Sequence, residues 1–497
     1  MNIHSVFDKI AERYPENVAA VGSRTELSYS ELRSMSDALA SFLLTKAASD
    51  IGAIGLRIEN DPLSLVAILG ILKSDSRVIF IDLTFSDALV DKICKENGVR
   101  LVFTVNDRSR RSVPPGVRFF DLDLELCWRS ACASAAQFGV NVDSDSVALV
   151  GYTSGTTGEP KGVAVSHRAC LFAYRKFWEE IPDDVEADRF GYVTYFAWDA
   201  LSPLVCGKTG VFVDGALDGD IIALTASLRH QRVNHLFLTP SLLANLLSYI
   251  KSAPPEAALD HLKVIWLGGE VLSTKILHAA MDVLPNVVFL SNYGPTECFV
   301  VTQGRLHRRQ EGHVASAGRV LPELQIRFLD EGGQDITTEG LGYLCVAGPA
   351  LANGYIARPH LEATRFKQID GETYFFTGDY CAFGEDGELR VIGRSEFMGG
   401  SADPLALSSL EGALLEHPLV DACKVVKNPG TPGGVLVFIV PHVSLSEQNT
   451  LPTLTEFVCS LYPNARCVLL DEIPLHRTSR KANYARLFDV ASSQPIE

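Results

Sequence analysis

The sequence predicts an α/β fold in which a large N-terminal domain precedes a small C-terminal domain. Short apolar runs of strand character alternate with amphipathic helical segments up to about residue 300, a pattern typical of largely parallel sheets covered by helices. From about residue 340, short strands follow one another with Gly and Asp between them, so the character of the chain changes there. The 497 residues are enough to form more than one domain.

The elements of the first part are predicted from helix caps and apolar runs. Ser28 and Glu31 have the spacing of a capping box, which opens an amphipathic helix that continues through Leu44. Further apolar segments predict a helix at 65–72, strands at 78–81, 147–150 and 163–165, a strand at 234–238 leading into a helix at 241–250, and strands at 264–267 and 287–290.

The second part is predicted to contain strands at 343–346, 374–376 and 389–392, with a hairpin turn at 385–388. We place the end of the N-terminal domain at residue 393 and a hinge at 394–396. The remaining residues, 397–497, predict a helix at 405–415, strands at 422–426 and 435–440, a helix at 453–462 and a strand at 467–470. This order is that of a small α+β domain.

Composition excludes some function classes. The net charge of −16 argues against a sequence-independent nucleic-acid surface. No apolar run reaches the length needed to span a bilayer, and the first residues lack the order of a signal peptide. The eleven cysteines contain no Cys-x-x-Cys pair, so we expect free thiols in a reducing cytosol. We therefore expect a cytoplasmic protein without a membrane or nucleic-acid partner.

A loop between two predicted strands has the composition of a phosphate-binding segment. Its glycines allow backbone N–H groups to approach phosphate oxygens, and its hydroxyl groups and lysine add donors and a positive charge. It lacks the Gly-Lys-Ser/Thr order of the usual P-loop. From composition alone, a flexible surface loop is the alternative. The segment reads Tyr152-Thr153-Ser154-Gly155-Thr156-Thr157-Gly158-Glu159-Pro160-Lys161-Gly162.

Two further segments carry carboxylates beside turns. Asn292-Tyr293-Gly294-Pro295-Thr296-Glu297 offers an aromatic face for a base and one carboxylate, and a single carboxylate suffices for Mg²⁺ that also binds phosphates. The segment from Tyr374 to Asp379 is predicted to end a strand with a carboxylate that can accept both hydroxyls of a ribose. Gly393-Arg394 follows fifteen residues later. Ordinary turns are the alternative for each segment taken alone.

These segments, together with 27–32 and 342–355, resemble in order the motifs of the adenylate-forming superfamily, and most of all those of stand-alone amino acid adenylation domains of nonribosomal peptide synthetases. The resemblance implies ATP and Mg²⁺ as cofactors, a small β-barrel-like subdomain and a mobile C-terminal domain. Segments 27–32 and 342–355 are interpreted as structural. The resemblance also implies a metal-binding and catalytic role for Glu297 and nucleotide contacts from Thr153, Ser154, Gly155, Thr156, Thr157, Lys161, Asn292, Tyr293, Thr296, Asp379 and Arg394.

The acid substrate is expected to bind near Asp199. By the same resemblance, Trp198-Asp199 stands where amino acid adenylation domains carry an aromatic residue and an Asp that pairs with the substrate ammonium. A carboxylate in an apolar pocket needs such a cationic partner. The alternative is that Asp199 caps a helix starting at Ala200. The implied pocket suits a small uncharged amino acid and consists of Trp198, Asp199, Ala200, Pro203, Phe237, Ile265, Leu267, Asn292, Val300 and Val301.

The family's catalytic lysine is placed at Lys481, near the C-terminus. Arg480 is the competing residue, and a solvated basic patch is the alternative. The hairpin after the hinge departs from the family pattern because residues 397–404 contain no lysine or arginine.

The resemblance implies formation of an aminoacyl adenylate with release of pyrophosphate. Rotation of the C-terminal domain and transfer to a phosphopantetheine thiol would follow. No carrier segment follows this unit, so the acceptor is expected to be a separate carrier protein or CoA. An acyl or aryl acid:CoA ligase of the same fold is one alternative. A catalytically silent member that binds nucleotide or carrier is another.

Overall fold

The structure is a computed structural model of residues 1–497. It describes the chain except for residues 24, 47–51, 58–60, 106–113, 124–141, 154–159, 194–198, 216–218, 255–257, 310–311, 395–403, 429–430, 432–433, 443–446, 475–481 and 494–497.

The described strands form four sheets. In chain order they are β1 (Val18–Val21), β2 (Glu26–Ser28), β3 (Ala53–Arg57), β4 (Arg77–Phe80), β5 (Leu101–Thr104), β6 (Arg118–Asp121), β7 (Val147–Thr153), β8 (Lys161–Ser166), β9 (Arg189–Tyr192), β10 (Thr209–Phe212), β11 (His235–Leu238), β12 (Val264–Gly268), β13 (Val288–Tyr293), β14 (Thr302–Arg305), β15 (Arg319–Val320), β16 (Gln325–Leu329), β17 (Leu341–Ala347), β18 (Gly354–Tyr355), β19 (Phe366–Ile369), β20 (Glu372–Phe383), β21 (Leu389–Arg394), β22 (Val420–Lys427), β23 (Val435–Pro441) and β24 (Ala465–Leu469).

Helices cover the faces of these sheets. They are α1 (Ile3–Arg13), α2 (Tyr29–Lys46), α3 (Leu63–Lys73), α4 (Asp87–Asn97), α5 (His167–Glu179), α6 (Ser202–Val205), α7 (Ile221–His230), α8 (Pro240–Ser252), α9 (Thr274–Val283), α10 (Pro359–Arg365), α11 (Pro404–Glu416), α12 (Glu447–Leu461) and α13 (Tyr484–Ser493), with one 3₁₀ turn at Thr337–Glu339. Across the described part of the chain, no helix combines the length and apolar character that crossing a membrane requires.

Both large sheets have parallel centres; the nine-stranded sheet has antiparallel pairing at both edges and the seven-stranded sheet at one edge. The nine-stranded sheet has the order β15-β14-β13-β12-β11-β9-β10-β1-β2, and the seven-stranded sheet has the order β18-β8-β7-β4-β3-β5-β6. Strands β9 to β13 pair in parallel, whereas β14 and β15 close one edge in antiparallel pairing. The carboxyl ends of the parallel strands therefore meet at one edge, where ligands bind in open α/β sheets. The predicted α/β class is confirmed.

Hydrophobic clusters separate the layers. The main core joins one face of each large sheet with residues of α1, α2, α3 and α5. A second cluster lies between the other face of the nine-stranded sheet and α7, α8 and α9. A third cluster packs α4 on the other face of the seven-stranded sheet. Strands β16, β17, β20, β19 and β21 form a five-stranded antiparallel sheet that curves into a half-barrel. This sheet corresponds to the β-barrel-like subdomain that the sequence predicted.

The C-terminal part has its own sheet and its own cores. Strand β23 lies between β22 and β24. Its two faces carry separate clusters, one with α11 and α12 and one with α13, and both consist of residues from 407 onward. Sequence patterns predicted all of these elements except α13.

The capping box at the start of α2 is present. The Ser28 N–H donates to Glu31 Oε2 (2.8 Å), and the Glu31 N–H donates to Ser28 Oγ (3.2 Å). The two bonds satisfy backbone donors that the first helical turn leaves unpaired.

Candidate functional site

The site lies where strands of both large sheets end. The predicted phosphate loop connects β7 to β8, which pair as an antiparallel hairpin with Thr153 opposite Lys161. Ser154, Gly155, Thr156 and Thr157 lie outside the described residues. The two ends of the loop are therefore fixed by strand pairing.

Lys161, Glu297 and Tyr355 form a buried polar group beside this hairpin. Lys161 Nζ lies 2.8 Å from Glu297 Oε1, and the Tyr355 hydroxyl donates to the same oxygen (2.6 Å). Glu297 is 5% exposed. Burial raises its pKa, but the Lys161 ammonium and the hydrogen bonds outweigh burial and hold the pKa below its ordinary value. Glu297 is thus kept as a carboxylate.

Tyr355 is a functional candidate that sequence reasoning missed. It belongs to the segment that was interpreted as structural. Strand β18 pairs with β8 and places Tyr355 opposite Val163, so the hydroxyl reaches Glu297 from a position 58 residues further along the chain. The Lys161 ammonium also lies 4.7 Å from the centre of the Tyr355 ring. Only the fold brings these residues together, so the sequence offers no local signal for the contact.

Tyr293, Asp379 and Arg394 form a second polar group. The Tyr293 hydroxyl donates to Asp379 Oδ2 (2.6 Å), and Arg394 Nε donates to Asp379 Oδ1 (2.8 Å). Asp379 is 4% exposed. Burial, followed by the charge of Asp379, raises the pKa of Tyr293 well above its ordinary value, so the phenol stays protonated as a donor.

The prediction that Asp379 ends a strand is wrong. Strand β20 runs from Glu372 to Phe383, so Asp379 lies within it. Asp379 stands directly opposite Arg394 on β21, and a bulge between this pair and the turn leaves Ile392 without a partner in the register. Cross-strand neighbours share a face of the sheet, which brings the carboxylate and the guanidinium together.

The backbone between Tyr293 and Glu297 is tightly packed. A Cβ on Gly294 would lie 2.2 Å from the Phe299 carbonyl oxygen, and Phe299 itself has φ of +52°. The Glu297 carbonyl accepts a hydrogen bond from Ala352 N (2.8 Å). Only glycine fits at 294, and the compact turn fixes Glu297 relative to Tyr293. The half-buried Thr296 lies within the same turn.

Asn292 lies just before this turn, at the end of β13. Its Oδ1 accepts from Gln303 Nε2 (3.2 Å), and its backbone stands opposite Gly268. Asn292 therefore lies where the predicted nucleotide residues meet the predicted acid pocket.

Asp199 stands at the predicted acid pocket, just before α6. The helix begins at Ser202 with Leu201 as its N-cap and no side-chain cap, so the interpretation of Asp199 as a cap of a helix at Ala200 is wrong. Among the described residues no hydrogen bond or ion pair to its carboxylate is found; Trp198 lies outside them. Burial raises the pKa of Asp199 to about 7. The carboxyl thus lacks a compensating cation from the described part of the protein.

Two of the predicted pocket residues face away from the others. Phe237 and Trp266 stand opposite each other on β11 and β12 and belong to the main core. Ile265 and Leu267 alternate with Trp266 along β12, so their side chains enter the cluster under α7, α8 and α9. Ile265 and Leu267 therefore do not share a face with Phe237.

Trp266 and Gly268 lie on the same face of the sheet as Phe237. A Cβ on Gly268 would lie 3.0 Å from Phe237 Cζ. The Trp266 ring is fully buried and stacks on Phe177 of α5, with 4.6 Å between ring centroids. The remaining predicted pocket residues, Ala200, Pro203, Val300 and Val301, are buried, and all of them except Pro203 belong to the main core.

The C-terminal segment reaches the same edge of the nine-stranded sheet. Lys481 and Arg480 lie outside the described residues. Ala482, the next residue, donates its N–H to Glu270 Oε1 (2.8 Å), and Glu270 follows β12 by two residues.

Comparisons with known proteins agree with the motifs. The family model described as AMP-binding enzyme matches residues 7–356. The chain is 27% identical to glycine betaine reductase ATRR of Emericella nidulans, over 98% of this chain and 40% of that protein. It is also 27% identical to bacitracin synthase 3 of Bacillus licheniformis, over 95% of this chain and 7% of that protein. The chain thus spans less than half the length of these relatives.

Solved structures share the fold. The anthranilate CoA ligase AuaEII in complex with anthranoyl-AMP superimposes with a TM-score of 0.82 at 18% identity, over 99% of this chain and 97% of that chain. The four-domain nonribosomal peptide synthetase AB3403, bound to AMP and glycine, superimposes with a TM-score of 0.79 at 21% identity, over 100% of this chain and 36% of that chain.

Proposed function

The chain belongs to the family of AMP-binding enzymes, the adenylate-forming superfamily, and we propose that it activates a small amino acid as the aminoacyl adenylate. Pyrophosphate would leave, and the acyl group would pass to the phosphopantetheine thiol of a carrier protein. CoA is the alternative acceptor. Bacitracin synthase 3 and the AMP- and glycine-bound AB3403 are peptide synthetases and support this class of reaction.

The proposal rests mainly on the environment of the Asp199 carboxylate. Burial raises its pKa to about 7, and the described residues supply no cation to its carboxylate. A buried carboxylate is costly unless a positive group pairs with it. The α-ammonium of an amino acid supplies that group, whereas a fatty or amine-free aryl acid does not. Asp199 therefore favours an amino acid over other acids.

We propose that the aromatic rings on one face of the nine-stranded sheet restrict the substrate to a small side chain. Trp266 stacks on Phe177, and Phe237 lies beside them on the same face of the sheet. These rings fill the volume between α5 and the sheet, which would otherwise extend the pocket. We propose that Trp266 and Gly268, together with Phe237, set the upper limit on substrate size.

The polar groups fit ATP and Mg²⁺. Glu297 is a buried carboxylate whose contacts with Lys161 and Tyr355 both fall on Oε1. Mg²⁺ takes one or two protein carboxylates and completes its shell with phosphates and water, so the single Glu297 fits that need. Bound Mg²⁺ would neutralise charge on the triphosphate and the leaving pyrophosphate. Asp379 would bind the ribose hydroxyls with Arg394 beside it, and Tyr293 would stack on the adenine.

The chain's own residues would act mainly by orientation and charge. Asp199 would hold the substrate ammonium and so direct the acid carboxylate toward the α-phosphate. Lys161 and the hydroxyls of residues 153–157 would bind the β- and γ-phosphates. Lys481, carried in by the C-terminal domain, would stabilise charge that develops between the acid and the α-phosphate.

We propose the division into residues 1–393 and 397–497 around a hinge at 394–396. The separate hydrophobic clusters from residue 407 onward support it. Rotation at the hinge would replace Lys481 with the thiol of the carrier after adenylation.

The test is ATP–pyrophosphate exchange with the twenty amino acids and with a panel of aryl and fatty acids. We expect exchange with one or a few small amino acids, and loss of that exchange in Asp199→Ala. Exchange only with amine-free acids would overturn the proposal in favour of an acid:CoA ligase. Binding of ATP without exchange for any acid would point to a silent member of the family.

A further inference from the structure

Glu270 connects three parts of the molecule through one carboxylate. It lies in the turn after β12, two residues beyond Gly268. Its Oε2 accepts hydrogen bonds from the Ser241 N–H (3.1 Å) and the Ser241 hydroxyl (2.6 Å) at the start of α8. Its Oε1 accepts the Ala482 N–H (2.8 Å) from the C-terminal part of the chain. Each oxygen therefore serves a different part of the chain.

The C-terminal side offers a buried positive group near this carboxylate. Lys424 Nζ lies 3.2 Å from Glu411 Oε1, and Glu411 Oε2 accepts from Val425 N (2.9 Å). Burial lowers the pKa of Lys424, but the interactions with Glu411, then Tyr484 and then Glu270 outweigh burial and raise the pKa above its ordinary value. Lys424 thus stays charged, and part of the field that stabilises it comes from Glu270.

Other contacts between the two parts involve different segments. Lys275 Nζ donates to the carbonyls of Leu415 (2.6 Å) and Val420 (3.1 Å), at the end of α11 and the start of β22. The His313 ring packs on Gly412 so closely that a Cβ there would lie 2.4 Å from it. These contacts fix α11. The Glu270 bond, in contrast, reaches Ala482, the residue next to Lys481.

We propose that Glu270 is a positioning residue for the adenylation step: it holds Ala482 and thereby restrains the backbone next to Lys481. The Ala482 N–H belongs to the planar peptide group that joins it to Lys481, so fixing this N–H restricts the backbone of the lysine. Glu270 lies two residues after Gly268, which borders Phe237 on the pocket face. The inference rests on the proposed role of Lys481.

The arrangement makes Glu270 specific for one orientation of the C-terminal domain. Its bonds to Ser241 lie within the N-terminal part and persist when Ala482 moves away. The bonds to Ser241 therefore hold the Glu270 carboxylate in place before Ala482 binds to it. Little conformational entropy of this side chain is then lost when the C-terminal segment docks. Removal of the carboxylate should weaken adenylation and leave the transfer of an already formed adenylate to the thiol unchanged.

The experiment compares Glu270→Ala and Glu270→Gln in both half-reactions. We expect Glu270→Ala to lower kcat of pyrophosphate exchange about 10- to 100-fold, because a hydrogen bond to a charged acceptor is lost. The KM for ATP should stay within about twofold. Glu270→Gln keeps an acceptor oxygen and should recover most of the loss. Transfer from supplied aminoacyl adenylate to a carrier thiol should match the wild type in both variants.

Ser241→Ala serves as a structural control, and hydrogen–deuterium exchange gives a measurement that does not depend on activity. Ser241→Ala removes one bond to Oε2 but leaves the Ala482 bond, so we expect no more than about a threefold loss of exchange. Hydrogen–deuterium exchange of the peptide that contains Ala482 should be faster in Glu270→Ala. Unchanged protection there, or equal loss in both half-reactions, would overturn the positioning role. A wild type inactive toward every acid would instead refute the proposed function, while the protection of Ala482 would still decide whether Glu270 holds the segment.

Discussion

Replacing Asp199 by Asn should stabilise the protein in the absence of substrate while it abolishes activity. Burial raises the pKa of Asp199 from 3.8 to about 7. Each pKa unit corresponds to about 1.4 kcal/mol, so ionising this carboxyl costs the folded state about 4 kcal/mol at most. Because the residue is half-buried, we expect about half of that, roughly 2 kcal/mol. An amide of the same shape avoids the cost.

The sign of the effect depends on pH. The pKa of Asp199 is higher in the folded protein than in the unfolded chain, so the carboxyl is protonated in both states below about pH 4 and its burial costs little there. The cost develops between about pH 4 and pH 7 and is complete above pH 7. The gain in the free energy of unfolding of Asp199→Asn should therefore be roughly 0.5 to 1 kcal/mol at pH 4.5 and about 2 kcal/mol at pH 8.

Urea denaturation of both proteins at these two pH values measures the difference. Asp184→Asn is the matched control, because Asp184 is exposed on the loop between α5 and β9. This substitution should change the free energy of unfolding by the same small amount at both pH values. Equal stability of Asp199→Asn and wild type at pH 8, or a gain that does not change with pH, would refute the reasoning. In the wild type, the apparent affinity for the amino acid should fall as the pH drops below about 7, because the ammonium then meets a protonated carboxyl.

Three further predictions concern the nucleotide and the acid. Tyr355→Phe keeps the ring but removes the hydroxyl, so calorimetry should show weaker Mg²⁺ binding to the ATP complex with an unchanged Tm; equal Mg²⁺ affinity would contradict this. Lys481→Ala should reduce exchange more than Arg480→Ala, and the reverse order would show that the lysine was misplaced. Trp266→Leu should admit larger amino acids in the exchange assay, whereas Ile265→Ala, on the opposite face of the sheet, should not; equal profiles would exclude Trp266 from the pocket.

The sequence predicted the architecture well because most elements carry local signals. The capping box at Ser28 and the apolar runs of β11, β12 and β13 depend only on nearby residues. The polar groups of the site also come from short segments with a recognisable order. Such signals do not require knowledge of which strands pair.

The contacts that the sequence could not predict depend on pairing and register. The hydroxyl of Tyr355 reaches Glu297 only because β18 pairs with β8. Ile265 and Leu267 were grouped with Phe237 in one pocket, but side chains of a strand alternate, and these two lie on the opposite face from Phe237 and Trp266. A fully buried parallel strand such as β12 is apolar on both faces, so its sequence gives no polar marker of which side faces the ligand.

The bulge between β20 and β21 limits how the chain can vary in length. The turn at 384–388 is largely exposed, and exposed turns usually accept insertions or deletions. However, the unpaired Ile392 sets the count of residues between this turn and the pair formed by Asp379 and Arg394. Loss of one residue from the β21 side of the hairpin would turn Arg394 to the other face of the sheet and away from the carboxylate. A surface hairpin without a ligand contact of its own thus carries a length constraint as strict as that of a buried strand.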